Sequence, residues 1–598
     1  MSPTFPHPDP RKPAELPIGT TAERLAARGP AAVASRHAAL VMLSAEAYDV
    51  IIIGGGITGA GVAREAAIAG LRVALLERDD FASGTSSRSS RLVHGGVRYL
   101  EHGHLSLVFE SSHERRVLLQ LAPHLVRPLS FTWPVYKGAR VPRWKVLAGL
   151  TLYDALALFR NVQRHEALGR DGVLALEPAL APDGLVGGAR YWDAATDDSR
   201  LTLASALTAR EAGAVVMNHV TVVGGIRGVR GGIGGGVLDA HGGNRLTGVT
   251  VEDRLTGSAF VVQGRVVVNA TGPWSDATAA LTGSPVRGNG VLGSAGAHIA
   301  VPRQRLGNND AVTLVSPLDG RVLFVLPAGA HSIIGTTERP ARRGPDDIRA
   351  TQQEVDYLLR TVNSIFPFAK LASDDVISAW SGIRPLAAAH AGGTGHARSA
   401  NSASREHAIV HTADGLVSVT GGKLTTYRAM ATDVLSHALE ELKRAGGPLT
   451  ALRATQPSET TPLVGGDVVS RDAVVQDARS TVHDAAVGER LALAYGSRWR
   501  NVWSYAQRDV SLGKRLVEDL PYIVAEVPHA VEREMACTLA DVLLRRTHVA
   551  FETRDHGRGA ARRIAPLMAV LLGWSEGEQE RQVAEYEGEV ERVFSVDG

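Results

Sequence analysis

The sequence predicts an α/β fold followed by a separate all-α region. Two observations carry that expectation. Short β-branched runs alternate with helical patterns from Tyr48 to about residue 455, the order that builds a parallel sheet. From Arg471 to Val596, apolar residues such as Val517, Leu520 and Val524 recur at helical spacing with charges between them. A chain of 598 residues leaves room for more than one folding unit. With 44% hydrophobic and 21% charged residues, general disorder is excluded. The 64 basic side chains nearly cancel 62 acidic ones, so no nucleic-acid partner is indicated. A lone cysteine, Cys537, excludes a disulfide framework, a cysteine-rich zinc site and a protein-ligated iron–sulfur cluster, and no metal centre is expected.

Taken in order, residues 1–46 read as a disordered extension, proline-rich to Pro17 and then rich in alanine and arginine, without a secretory apolar core. The first strand is Tyr48 to Ile53. Gly54-Gly55-Gly56-Ile57-Thr58-Gly59 follows and opens a helix that runs to Gly70; Leu71 to Leu76 is the second strand, and Glu77 ends it. This is G-x-G-x-x-G between strand and helix. Gly54 permits the tight turn, Gly56 lets backbone approach a diphosphate, and Gly59 lets helix meet strand. The amides of Ile57 and Thr58 lie at the positive end of the helix, and Glu77 suits ribose hydroxyls, with Arg78 beside it. An acid there argues against a 2′-phosphate.

Two later segments favour a flavin over a nicotinamide dinucleotide. The hydroxyl-rich run Ser83 to Ser90, with Thr85, Ser86 and Ser87, suits a diphosphate and a ribityl chain; a solvated loop is the plainer alternative. Val266 to Ala270 is a strand that ends in the small-residue turn Thr271-Gly272-Pro273-Trp274, which returns backbone to the cofactor. Val146 to Phe159 is largely apolar but shorter than a bilayer span of about 20 residues. Preceded by Arg140, Arg143 and Lys145, it reads either as a core helix or as a segment lying on an anionic membrane surface. The glycine-dense stretch Gly224 to Gly243 reads as a surface insertion, and residues 456–470 as a linker.

The run Ser86-Ser87-Arg88-Ser89-Ser90-Arg91-Leu92-Val93-His94-Gly95-Gly96-Val97-Arg98-Tyr99-Leu100-Glu101 resembles the signature of FAD-dependent glycerol-3-phosphate dehydrogenases of the aerobic, membrane-associated type. Asn269 to Trp274, Ile334-Gly335-Thr336-Thr337-Glu338, Trp380 to Leu386 and Gly421-Gly422-Lys423-Leu424-Thr425-Thr426-Tyr427-Arg428 extend the resemblance in the same order. It implies an FAD-binding Rossmann-like domain interleaved with an antiparallel-sheet substrate domain, the latter about 120–210 and 275–385 within 47–455, and a helical cap over 471–598. It also implies FAD, held in addition by His94, Gly95, Ala270, Thr271, Gly272, Trp274, Gly422, Lys423, Leu424 and Thr425.

The reaction so implied is oxidation of sn-glycerol 3-phosphate to dihydroxyacetone phosphate, with hydride passing from C2 to flavin N5 and electrons going on to a quinone. A phosphorylated polyol needs guanidinium groups to hold its dianion, and Arg98, Arg384 and Arg405 are the candidates. Tyr99 either touches substrate or packs. His94 is the first candidate for the base, since imidazole titrates near working pH; otherwise it lines the flavin. His298 is the second, and Arg384 and Lys423 complete the catalytic set. Where the family shows lysine-glycine-x-histidine, this chain has Ala295-Gly296-Ala297-His298, an expected loss of positive charge near phosphate. The alternatives are an oxygen-using oxidase, an amine or amino-acid oxidase on the same fold, and a catalytically silent flavin protein. A cytoplasmic protein held peripherally on the inner face of the membrane is expected, and a homodimer is compatible with the resemblance.

Overall fold

The computed structural model describes residues 29–159, 161–228, 244–285, 292–341, 344–386, 407–447 and 458–598. Its first layer is an eight-stranded sheet. At its centre lies Ala47–Ile53, buried from Tyr48 onward, as a β-branched run covered on both faces should be. It pairs in parallel with Ser258–Asn269 on one side and Val73–Leu76 on the other, so that Ile53, Asn269 and Leu76 end level. Leu416–Thr420 and Val215–Met217 continue the parallel order outward. All these carboxyl ends therefore meet at one edge, where an open α/β sheet binds its ligands.

The period-two alternation of the strands sorts their side chains onto two faces. Val50, Ile52, Val73 and Leu75 meet the helices Ile57–Ile68, Asp198–Glu211 and Tyr427–Arg444. Ile51, Ile53, Ala74 and Leu76 meet an antiparallel pair, Val220–Arg227 with Leu246–Asp253. The glycine-rich insertion thus interrupts a hairpin, and its residues 229–243 lie outside the described ones.

Leu43 joins this second face, and here the extension expected to be disordered differs: Gly29–Ala45 is a helix. Arg36 holds it to Asp253 at 2.7 Å, and Tyr48 donates to the Met42 carbonyl at 3.0 Å. Its alanines and leucines are good helix formers, and burial of Leu43 gives the helix tertiary support. Residues 1–28 lie outside the described ones.

The second layer is a ten-stranded, mostly antiparallel sheet. Its long members are Val126–Tyr136, Leu185–Thr196, Leu292–Pro302 and Ser378–Leu386, the last two paired directly. The helix Asp198–Glu211, placed by the sequence reading at the end of this layer's first segment, packs on the first layer instead, because Leu203, Ala206 and Leu207 face Ile57–Ile68.

From 458 the chain runs without helix or strand to Ser470, pinned by Arg64, which donates to the Ser458 and Thr461 carbonyls at 2.8 and 2.6 Å. Helices from Arg471 to Phe594 then form the third unit. Buried ion pairs join it to the first layer: Arg545 and Arg546 both bind Asp80, at 2.8 and 2.5 Å, and Arg200 binds Glu534 at 2.5 Å.

The Val146 to Phe159 stretch begins in the helix Arg143–Leu156 and ends three residues beyond it. Val146, Leu150, Tyr153 and Asp154 are buried, whereas Trp144 is 71% exposed and Leu152, Leu158 and Phe159 are also exposed. Beside it, Leu105–Leu121 exposes Leu105 and Phe109. No described helix is long and apolar enough to cross a membrane.

Candidate active site

At the carboxyl edge of the first sheet, Gly54 has φ +105°, and a Cβ there would lie 2.8 Å from the Ala270 carbonyl oxygen. One at Gly59 would lie 1.9 Å from the Gly54 carbonyl oxygen. Only glycine lets this turn, the helix behind it and the Ala270–Thr271 turn come so close. The Gly55 amide donates to Glu77 Oε2 at 2.6 Å and the Asp79 amide to Oε1 at 2.8 Å. Burial first, then the Asp79 charge, pushes the Glu77 carboxyl up to about 7.

Ser86 Oγ accepts the Ile57 amide at 3.0 Å, joining the hydroxyl-rich loop to the helix start, whose other first-turn amides have no intrahelical acceptor. Arg78 stacks over Trp274 at 4.8 Å, and both bind Asp346, a residue the sequence reading did not single out. The turn, helix end, Glu77 and the Ser86 loop thus form one cradle suited to a diphosphate and ribose. The serine-rich run is not a solvated loop: Ser86 and Ser87 are buried, and Thr85 Oγ1 donates to the Ile383 carbonyl at 2.7 Å.

That last bond carries the cradle to the second sheet. Antiparallel pairing sets His298 opposite Trp380, Gly296 opposite Gly382 and Ser294 opposite Arg384, so these residues share one face. The His298 and Trp380 rings stack at 5.6 Å. Arg384 Nη2 donates to Thr336 Oγ1 at 2.8 Å, across the bare backbone of Gly296, where a Cβ would stand 2.7 Å from the guanidinium. Ser90 Oγ lies 2.8 Å from His298 Nε2. Burial first, then Arg384 and Arg91, lowers the His298 imidazole to about 3, so the ring is neutral at physiological pH. Its Nδ1 has no partner among the described residues.

Ala295 takes the opposite face. It is fully buried in an apolar cluster with Ile348 and Ile383. The expected loss of a cation near Arg384 is therefore not what position 295 represents here, since alternation turns its side chain away from the Arg384 face.

A further wall comes from His94 to Tyr99 and the Gly421–Thr426 turn. The His94 amide donates to Thr425 Oγ1 at 3.1 Å, and the Gly95 amide to Asp193 Oδ1 at 3.0 Å. Lys423 Nζ sits 4.0 Å over the Tyr99 ring. Tyr99 therefore packs under an ammonium group, while Arg115 and Tyr153 hold Asp193 from behind. Gly422 has φ +85° and Gly272 +56°, conformations that glycine adopts freely. Leu424 is partly exposed beside the buried Thr425. The Arg98 backbone lies in the short helix Val97–His102, but its side chain is outside the described residues, as is all of Arg405. Thr336 and Thr337 stand in the Ile334 to Glu338 motif, whereas nothing local in the sequence marks Asp193.

Residues 49–428 match the sequence model of FAD dependent oxidoreductases, and 457–579 that of the C-terminal domain of alpha-glycerophosphate oxidase. Glycerol-3-phosphate dehydrogenase 2 of Mycobacterium tuberculosis is 38% identical over 97% of this chain and 94% of its own length. The Synechocystis glycerol-3-phosphate dehydrogenase is 35% identical over 90% and 96%. Among solved structures, the glycerol-3-phosphate dehydrogenase from Bacillus halodurans complexed with FAD is 28% identical, covers 94% of this chain and 98% of its own, and superposes with a TM-score of 0.73.

Proposed function

We propose, from the premise that the chain belongs to the FAD-dependent glycerol-3-phosphate dehydrogenase family, that it oxidises sn-glycerol 3-phosphate to dihydroxyacetone phosphate and passes the electrons to a quinone. The observation that carries this reading is Arg384 braced by Thr336 across Gly296, on the same face as the neutral His298. A fixed guanidinium suits a phosphate dianion.

FAD fits the cradle, because the glycine backbone leaves room where side chains would clash and Glu77, Ser86 and the Ile57–Thr58 helix start offer an acceptor and donors of the required kinds. Bound there, FAD supplies the acceptor for the hydride from C2. Arg384 holds the phosphate, with Arg98 and Arg405 as further cations. His298, kept neutral, orients a substrate hydroxyl through Nδ1, which has no partner among the described residues. His94, whose backbone amide is held by Thr425 Oγ1, takes the hydroxyl proton. Lys423 holds positive charge beside Tyr99 and the Gly421–Thr426 turn.

The exposed apolar residues Trp144, Leu152, Leu158 and Phe159, with Arg140 and Lys145 near them, support peripheral attachment to the inner membrane face, where quinone dissolves. Anaerobic mixing with sn-glycerol 3-phosphate tests the reaction: bleaching of the visible flavin band is expected, and an unchanged spectrum overturns it. Reoxidation by a quinone analogue is then expected to outpace reoxidation by dissolved oxygen; the reverse order marks an oxidase.

A further inference from the structure

Between the helix Asp198–Glu211 of the first layer and the C-terminal helices lies a second cleft, of about 580 Å³. None of the cofactor or substrate residues described above lines it. Arg200, Arg210 and Glu211 come from that helix, and Arg498, Arg508, Glu532, Arg533 and Glu534 from the cap. Five arginines thus face three glutamates.

Two of those glutamates are already matched. Glu534 binds Arg200 at 2.5 Å and Glu211 binds Arg498 at 2.5 Å. Glu532 accepts from Tyr505 at 2.7 Å through Oε2. Arg210 donates to the Arg533 backbone carbonyl at 2.8 Å, both residues line the cleft, and Arg533 has no carboxylate partner among the described residues. Along the described lining, arginines thus outnumber glutamates.

It also carries acceptors without donors. His124 and His529 are 3% and 5% exposed, both line the cleft, and both have Nδ1 without a partner among the described residues. Burial depresses both imidazoles, to about 3 and about 4, so each is neutral. Glu532 Oε1 is likewise buried and has no partner among the described residues. Buried polar atoms are normally satisfied by protein or by a bound molecule, and three at one cleft give a ligand with donors a place to meet them.

We infer that this cleft binds a phosphate monoester of a polyhydroxylated carbon chain, with its dianion at Arg210 and Arg533 and its hydroxyls donating to His124, His529 and Glu532. A plain anion satisfies the charge but offers no hydroxyl donors; a neutral polyol does the reverse. The volume falls within the range for small-molecule sites, roughly 300–1,000 Å³.

Calorimetric titration of the Arg384→Ala holoenzyme, whose first phosphate site is weakened, tests this with glucose 6-phosphate and with inorganic phosphate as probes. Saturable binding of glucose 6-phosphate is expected, at least about tenfold tighter than inorganic phosphate. Adding Arg533→Ala, an exposed position, is expected to weaken it about tenfold or more, the loss of one charge-assisted contact. In the otherwise wild-type enzyme, Arg533→Ala is expected to leave KM for glycerol 3-phosphate unchanged. Absence of saturable binding, equal affinity for the two probes, or indifference to Arg533→Ala overturns the assignment. Each of these results is independent of whether glycerol 3-phosphate reduces the flavin.

Discussion

A buried carboxyl that titrates near neutrality makes the cofactor site pH-sensitive. Glu77 is raised to about 7, mainly by burial. In the cofactor-free protein the folded state then binds the proton more tightly than the unfolded one. The stability this contributes is full below the ordinary carboxyl range and is lost as pH rises through about 7. Ribose hydroxyls, in contrast, favour the ionised acceptor, so FAD affinity should fall as pH drops below about 7. Fluorescence of released FAD between about pH 5.5 and 8.5 measures this, and Glu77→Gln should flatten the curve. At the substrate end, Arg384→Ala should raise KM roughly 10- to 150-fold, the loss of a charge-assisted contact of about 1.5–3 kcal/mol; steady-state kinetics read it directly. The glycine turn, Glu77, Ser86, His298 and Arg384 were legible in sequence because each stood in a local pattern. Asp193 was not, because its partners Gly95, Arg115 and Tyr153 are brought to it only by tertiary packing. Ala295 misled for a related reason: which face a strand residue takes is fixed by pairing.

Among the elements, the helix Arg143–Leu156 shows what periodicity leaves undecided. Its Val146, Leu150 and Tyr153 repeat at helical spacing and are buried, yet Trp144 and Leu152 are apolar and exposed. Sequence offered a core helix or an interfacial one, and the segment has the buried face of the first together with an outer surface that suits the second. Trp144→Glu with Leu152→Glu should release the protein from anionic vesicles in a flotation assay and leave anaerobic flavin reduction intact; unaltered flotation counts against a role for this surface. Leu150 is fully buried, so charging it would report on folding instead. The helix Gly29–Ala45 escaped the sequence reading because its stabilising contacts, Arg36 to Asp253 and Leu43 in the first-layer core, come from residues far along the chain.

Over the whole molecule, the cap is joined to the first layer by charge as well as by apolar packing. Asp80, buried just beyond the second strand, serves both Arg545 and Arg546, and His219 meets Asp541 at 2.9 Å. Asp80, His219 and Asp541 lie close enough together to hold a cation, but the two guanidinium groups already neutralise them. Removing one partner from such a pair strands buried charge, so Asp80→Asn should lower the unfolding free energy by about 3–5 kcal/mol, measured by urea denaturation of the holoenzyme. Sequence placed the cap as a separate helical unit, but the pairing that docks it spans hundreds of residues and has no local signature.

The segment Thr85 to Ser90 has obligations to four partners at once: Thr85 to Ile383, Ser86 to Ile57, Ser89 to Asp198 and Ser90 to His298. Drift at any one of these positions disturbs a different neighbour, so accepted changes should arrive in correlated pairs, and a saturation mutagenesis library should find this stretch among the least tolerant of single replacements and the most rescued by second-site ones.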